Sequence, residues 1–112
     1  MREFGRHLER RGVYGLLDYD WAERFWALGF EMDCGHSFNE RTGLLLGDER
    51  GLDRVLESID DVKLLGDAAF SQCRYITHWA YSLEHESAGW IIKVLGRMGE
   101  LTGGRAFDSG LG

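Results

Sequence analysis

The chain contains no proline, and only two cysteines, Cys34 and Cys73, occur in its 112 residues. Because the residue that most strongly interrupts helices is missing, the 16 glycines must supply the breaks between elements. Two cysteines allow at most one disulfide, and small secreted domains that depend on disulfides carry many more. We therefore expect both thiols to be reduced.

Long apolar runs are also absent, since no stretch approaches the roughly 18 apolar residues that a membrane-spanning helix requires. The first thirty residues lack the apolar segment and small-residue cleavage site of a signal peptide. We therefore expect a soluble, cytoplasmic protein with no membrane partner. With 44% apolar residues, including fourteen aromatics, the composition predicts one domain covering 1–112 around a single core.

The net charge of −6 is distributed unevenly along the chain. Residues 1–12 sum to +2, residues 63–112 are neutral, and residues 13–62 carry twelve acids against four arginines, or −8. A region of that sign repels nucleic acid. Direct nucleic-acid binding is therefore not expected, and the arginines of 2–11, which are offset by two acids, are too few to alter this expectation.

Hydrophobic periodicity predicts an all-α fold, a compact bundle of four main helices with a short N-terminal helix and a loose C-terminal tail that includes Phe107. The main helices are expected at residues 20–32, 48–60, 64–83 and 87–101, and the short one at 2–11. Asp20 with Glu23 resembles a capping box, and Ser87 is the expected N-cap of the last helix. The glycine-rich segment 33–51 is predicted to be a loop, with 44–46 as a strand-like segment.

The predicted helix at 64–83 has two distinct sides. Its core side is expected to hold Leu65, Ala69, Cys73, Ile76, Ala80 and Leu83, with Trp79 and Tyr75 flanking this core-facing stripe. Its solvated side is expected to hold Asp67, Ser71, Arg74, His78 and Ser82. In the last helix, Gly96 and Gly99 are placed where a missing Cβ would let a neighbouring helix approach closely.

Residue types that bind zinc are present, but their spacing is poor. Cys34, His36, Cys73, His78 and His85 do not form the closely spaced ligand pairs typical of structural zinc sites. A cysteine nucleophile needs an electropositive, partly open site, whereas Cys73 falls on the core side and Cys34 in the acidic region. The sequence therefore predicts no catalytic residue, no metal and no cofactor.

One polar strip remains as an alternative site. Asp67, Arg74 and His78 share one side of the predicted helix, where they can be imagined to bind a small anion as part of a small enzyme or a ligand-binding domain. The simpler interpretation is a solvated helix edge with local ion pairs. No phosphate-binding glycine loop, HExxH helix or GxSxG turn supports a specific reaction.

Two groups of residues point to a protein partner. Asp53, Glu57 and Asp61 repeat every four residues on the predicted outer face of the second main helix. Trp26 and Phe30 widen the apolar arc of the first main helix, so these rings contact a second neighbour or remain exposed. We name these five residues as the candidate partner-binding set, complementary to a basic or nucleic-acid-binding protein.

Residues 64–101, "LLGDAAFSQCRYITHWAYSLEHESAGWIIKVLGRMGEL", together with "YDW" at 19–21, resemble small uncharacterised helical proteins of bacteria and their mobile elements. The shared features are an aromatic-rich penultimate helix and a last helix with the pattern W-I-I-x-x-x-G-R, and they carry over no catalytic residue. The resemblance implies a setting in which short acidic proteins often block host complexes. We therefore expect a stoichiometric inhibitor of a nucleic-acid-handling defence complex, a nuclease or a toxin, of the anti-CRISPR, antirestriction or immunity-protein type.

Overall fold

The computed structural model describes residues 2–18 and 20–103, and all regular structure in those ranges is helical. The α-helices there are α1 (Arg2–Arg11), α2 (Trp21–Ala27), α3 (His36–Thr42), α4 (Leu52–Ser58), α5 (Val62–Trp79) and α6 (Gly89–Thr102), with short 3₁₀ helices at Gly12–Leu17 and Leu83–His85. The all-α prediction is confirmed. The predicted tail, including Phe107, lies outside the described residues, and residues 44–46 do not form a strand.

Helix α5 lies at the centre of the fold. It packs against α6, α3, α2 and the first 3₁₀ helix, and every residue from 65 to 73 is buried. The prediction that Leu65 and Cys73 face the core is confirmed. The prediction that Asp67 and Ser71 face solvent is wrong, because neighbouring elements cover this part of α5 on all sides.

Helix α1 is a full part of the core, not an accessory. Phe4 and Leu8, one turn apart, are completely buried, and α1 packs against α6 and the first 3₁₀ helix. The ring of Phe4 meets Phe25 of α2 edge to face at 6.2 Å between centroids. The predicted arrangement of four main helices with a marginal fifth is therefore not what the described residues form.

Helix α2 ends five residues earlier than predicted, at Ala27. Gly29 adopts a left-handed conformation with φ of +88°. Its N–H donates to Trp26 O at 2.9 Å and the N–H of Phe30 donates to Phe25 O at 3.1 Å, which together form a Schellman motif. Phe30 then turns back into the core, where a Cβ on Gly66 would overlap its ring.

Helix α3 occupies the middle of the segment predicted to be a loop. Gly35 and Gly43, with φ of +78° and +76°, flank the helix as its N-cap and C-cap. Phe38 anchors α3, since its buried ring meets Trp90 of α6 edge to face at 5.5 Å between centroids. The glycines correctly indicated interruptions of the chain, but two of these interruptions mark the ends of a two-turn helix that was not predicted.

The remaining helix ends differ from the predictions in small but informative ways. Asp20 is the N-cap of α2, yet its side chain makes no capping hydrogen bond. Ala88, not Ser87, is the N-cap of α6, and Ser87 Oγ accepts a hydrogen bond from Gly89 N at 3.0 Å. The predicted close approach at Gly96 and Gly99 is wrong, because a Cβ at either position would meet no described atom within 4 Å.

The last turn of α5 emerges from the core. Trp79 is 70% exposed and Tyr75 is 48% exposed, so the prediction that these rings flank the stripe on the core side is wrong. The core-facing stripe of α5 ends at Ile76, beyond which the described elements no longer cover the helix. Across the described ranges, no helix is long and apolar enough to span a lipid bilayer.

Two tryptophans provide a matched test of this fold. We expect Trp90→Ala to lower the free energy of unfolding by about 3–5 kcal/mol, because the buried ring fills the contact between α3 and α6. Trp79→Ala removes an exposed ring and is expected to change it by less than about 1 kcal/mol. Urea unfolding followed by circular dichroism measures both values, and comparable losses in the two variants would contradict this assignment of core and surface.

Candidate functional site

The predicted polar strip of Asp67, Arg74 and His78 is divided between core and surface. Asp67 is 8% exposed, whereas Arg74 and His78 are exposed as predicted. Asp67 and His78 are eleven residues apart on one helix, which corresponds to about 16 Å along its axis. The three side chains therefore do not converge on one small ligand.

Asp67 has a structural role instead. One carboxylate oxygen accepts a hydrogen bond from the N–H of Glu31 at 2.8 Å, and the other lies 2.9 Å from Nζ of Lys63. Next to it, Ser71 Oγ donates to the carbonyl of Asp67 at 2.8 Å and accepts from the N–H of Asp33 at 3.1 Å. These bonds hold the segment after α2 against the buried middle of α5.

Asp33 continues this network to the start of α3. Its carboxylate accepts hydrogen bonds from the N–H groups of Gly35 at 2.9 Å and Ser37 at 3.3 Å. Partial burial acts to raise the pKa of Asp33, but the hydrogen bonds donated by Ser37, Gly35 and Ser71 outweigh it and lower the pKa overall. The ionised form of Asp33 is therefore the one that the fold stabilises.

The two cysteines lie in opposite environments. Cys34, between Asp33 and Gly35, is exposed and is the one non-glycine residue in the described ranges with a positive φ, at +61°. Cys73 is buried in the core, and burial raises the pKa of its thiol, so that it stays protonated at neutral pH. Among residues 2–18 and 20–103, no three His, Cys, Asp or Glu side chains are grouped as metal ligands would be.

A cavity of about 680 Å³ lies where the start of α3 and the turn at 45–47 meet α5 and the segment 85–87. The residues that matter most for its chemistry are Cys34, His36, Gln72, Tyr75, His85 and Glu86. The predicted zinc-type residues Cys34, His36 and His85 thus share one cavity, while Cys73 and His78 do not line it. Among the described residues that line it, none is a lysine or an arginine.

Gln72 is the most unusual residue of this cavity. The side chain is only 3% exposed, and its Oε1 has no hydrogen-bond partner in the part of the chain that the structure describes. Leaving a buried acceptor unpaired costs about 1–3 kcal/mol. The backbone of Gly47, with φ of +82°, packs so closely that a Cβ there would lie 2.8 Å from Nε2 of Gln72.

A second feature, which we call the aromatic end, lies at the surface of the last turns of α5. It consists of Arg74, Tyr75, His78, Trp79 and Tyr81, all of which are exposed. Tyr75 and Trp79 are four residues apart and thus lie on one face of the helix. Tyr81 follows the end of α5 by two residues, so the aromatic end combines rings and two basic side chains from the helix and from the segment directly after it.

The predicted partner-binding set is only partly available at the surface. Trp26 is 73% exposed beside Glu23 and Ala27, whereas Phe30 is buried against Gly66 and cannot be reached by a partner. The wide apolar arc of the first main helix therefore leaves one ring outside.

The acidic row is interrupted by the end of α4 at Ser58. Asp53 and Glu57 are exposed on α4, but Asp61 lies beyond it and caps α5 by accepting a hydrogen bond from Leu64 N at 3.1 Å. Nζ of Lys93 lies 3.4 Å from Asp53 and partly offsets its charge. The three carboxylates therefore do not form the continuous helical strip that was predicted.

Neither Gln72 nor the cavity was predicted from the sequence. A glutamine has no charge and no fixed place in a hydrophobic pattern, and the cavity depends on α3, which was not predicted. A glycine at 47 beside a run of leucines was the one available sign that another residue approaches the backbone there.

Comparison with known proteins finds no match to this chain, neither among protein-family models, nor among curated proteins, nor among solved structures. Arguments about its function therefore depend on the residues described above.

The lowered pKa of Asp33 predicts a specific pH dependence. Its contribution to stability is fully present above the unfolded-state pKa, near 3.9, and is lost as the pH falls through the lower folded-state value. We expect Asp33→Asn to be less stable than the wild type at pH 7, and the difference to shrink steadily between about pH 5 and pH 2. Urea unfolding across this range measures it, and Asp60→Asn is the control for loss of an exposed carboxylate. A constant difference would exclude the proposed role of the charge.

Proposed function

We propose that this protein is a stoichiometric protein-binding module and that the aromatic end is its contact surface. The observation that carries the proposal is the exposure of three rings, Tyr75, Trp79 and Tyr81, within seven residues at the end of α5 and directly after it. Exposed rings grouped in this way are typical of protein contact sites. Tryptophan, tyrosine and arginine are also the residues that most often dominate binding energy at interfaces.

The attachment of Tyr75 and Trp79 to a helix that is fixed in the core favours tight binding. The buried stretch of α5 from 65 to 73 fixes the position of the helix, and Tyr75 and Trp79 follow directly on its exposed continuation. Aromatic side chains have few rotatable bonds, so little conformational entropy is lost when they are immobilised. A surface of this kind needs no further ordering of the backbone to receive a partner.

The alternative of a small enzyme or ligand-binding domain that uses Asp67, Arg74 and His78 has lost its geometric basis. Asp67 is engaged with Glu31 N and Lys63, and His78 lies about 16 Å further along α5. Arg74 and His78 fit better into the aromatic end, where they flank Tyr75 and Trp79.

A more specific version of the proposal is inhibition of a nucleic-acid-handling protein. The charge of −8 over residues 13–62 supports a basic partner, and Asp53 and Glu57 on α4 are exposed to one. The resemblance to small proteins of bacterial mobile elements points to a defence complex, a nuclease or a toxin as the target.

The aromatic end is tested by two tryptophans with matched exposure. The protein, carrying an affinity tag, is used to isolate partners from its host, and the partner identified by mass spectrometry is then purified. We expect Trp79→Ala to weaken the affinity for this partner at least tenfold, because a central aromatic contact is lost. Trp26→Ala, on α2, is expected to change it less than threefold.

Isothermal titration calorimetry measures these affinities, and circular dichroism verifies that each variant is folded. A loss caused by Trp26→Ala with no effect of Trp79→Ala would move the contact surface to α2. Unchanged affinity in both variants would reject the aromatic contact altogether.

The basic partner is tested by charge reversal on α4. We expect Asp53→Lys with Glu57→Lys to leave the fold intact and to weaken binding about three- to tenfold at 50 mM salt, with a smaller effect at 300 mM because salt screens exposed charges. Asp61 is left unchanged, since its loss removes the N-cap of α5 and costs about 0.5–2 kcal/mol of stability. Affinity that does not respond at low salt would exclude α4 from the interface.

A further inference from the structure

We propose that the cavity beside Gln72 binds an uncharged small molecule with a planar amide-type edge, on which an N–H donor and an acceptor are adjacent. Nucleosides and simple carboxamides share this chemistry. The proposed ligand is distinct from the protein partner, and this inference does not depend on the proposed function.

The first argument is the unpaired amide of Gln72. Buried polar atoms nearly always have a hydrogen-bond partner, and within the described ranges Oε1 of Gln72 has none. The last torsion of a glutamine has a broad energy profile, so a small rotation, within the packing against Gly47, turns the polar edge of the carboxamide toward the cavity that it lines. A ligand with an adjacent donor and acceptor would satisfy both atoms, as an adenine edge does for glutamine in DNA recognition.

The second argument is the charge of the lining. Among residues 2–18 and 20–103, Glu86 is the one carboxylate that lines the cavity, no lysine or arginine does so, and Asn39 and Ser87 add uncharged polar groups. A phosphate or carboxylate ligand would meet no lysine or arginine there, only the imidazoles of His36 and His85, and would enter against the charge of Glu86. The lining thus favours an uncharged ligand over a nucleotide or another anion.

The third argument is shape. A volume of about 680 Å³ lies within the range of about 300–1,000 Å³ that is usual for small-molecule sites. Tyr75 lines the cavity with a half-exposed ring that offers a stacking surface for a planar ligand. The hydrogen bonds of Asp33 with Gly35 N and Ser71 Oγ hold the part of the lining that includes Cys34 and Gly35 in place before a ligand binds.

The experiment uses the full chain, labelled with ¹⁵N, and four probes: adenosine, uridine, nicotinamide and adenosine monophosphate. Amide signals of Gly35 and Gly47, which both line the cavity, report binding by NMR. We expect at least one uncharged probe to shift them in a saturable manner, and the responding probe distinguishes a nucleoside from a carboxamide. Adenosine monophosphate should bind at least tenfold more weakly than adenosine if adenosine is the responding probe.

Variants separate this site from the aromatic end. Gln72→Leu removes the amide and should weaken binding of the responding probe at least tenfold, while Trp79→Ala, outside the lining, should leave it within twofold. Tyr75→Ala, at an exposed position, is the second variant if Gln72→Leu does not fold, and it should weaken binding at least threefold. Absence of binding by all three uncharged probes, equal binding of the monophosphate, or full binding by both cavity variants would overturn the proposal.

Discussion

The burial of α5 from residue 65 to residue 73 is the constraint on which the rest of this structure depends. A helix covered on all sides has no solvent to satisfy its polar side chains, so each must find a partner inside the protein. Asp67 and Ser71 find theirs in the N–H groups of the segment after α2, which is thereby fixed to α5. Gln72, the third polar residue of this stretch, is left with an Oε1 that has no partner among the described residues, and it lines the cavity described above.

The same helix then changes its environment within one turn. Cys73 is fully buried, whereas Arg74 and Tyr75 are exposed, because the helices that surround the middle of α5 do not extend over its last turns. One rigid element therefore serves both as the centre of the core and as the support for an exposed group of rings. A short chain achieves positional precision at its surface in this way without a second domain.

Helical periodicity predicted the core residues of α5 and α6 well, since Leu65, Cys73 and Trp90 turn inward as their spacing requires. Periodicity says which residues share a face, but not how many neighbours cover the helix. It therefore missed both the burial of Asp67 and the exposure of Trp79. The glycine signals of segment 33–51 had a different fault: they marked breaks correctly, but that two of these breaks, at Gly35 and Gly43, bound a helix depends on packing and hydrogen bonds that composition does not encode. Gly29 was not recognised as a break at all, since the predicted helix 20–32 ran through it.

The cavity and the aromatic end meet at Tyr75, which lines the first and belongs to the second. If both sites are occupied in the same molecule, their binding free energies are linked, and each ligand must change the affinity of the other by the same factor. A ring held against a small ligand loses rotational freedom that a partner would otherwise have to restrict, which favours positive coupling. Contact of the partner with the outer edge of Tyr75 at the cavity mouth would act in the same direction, by slowing release of the ligand. The coupling is therefore positive if the partner uses the ring in the position that the ligand imposes, and Tyr75 is the residue through which the two proposed sites would influence each other.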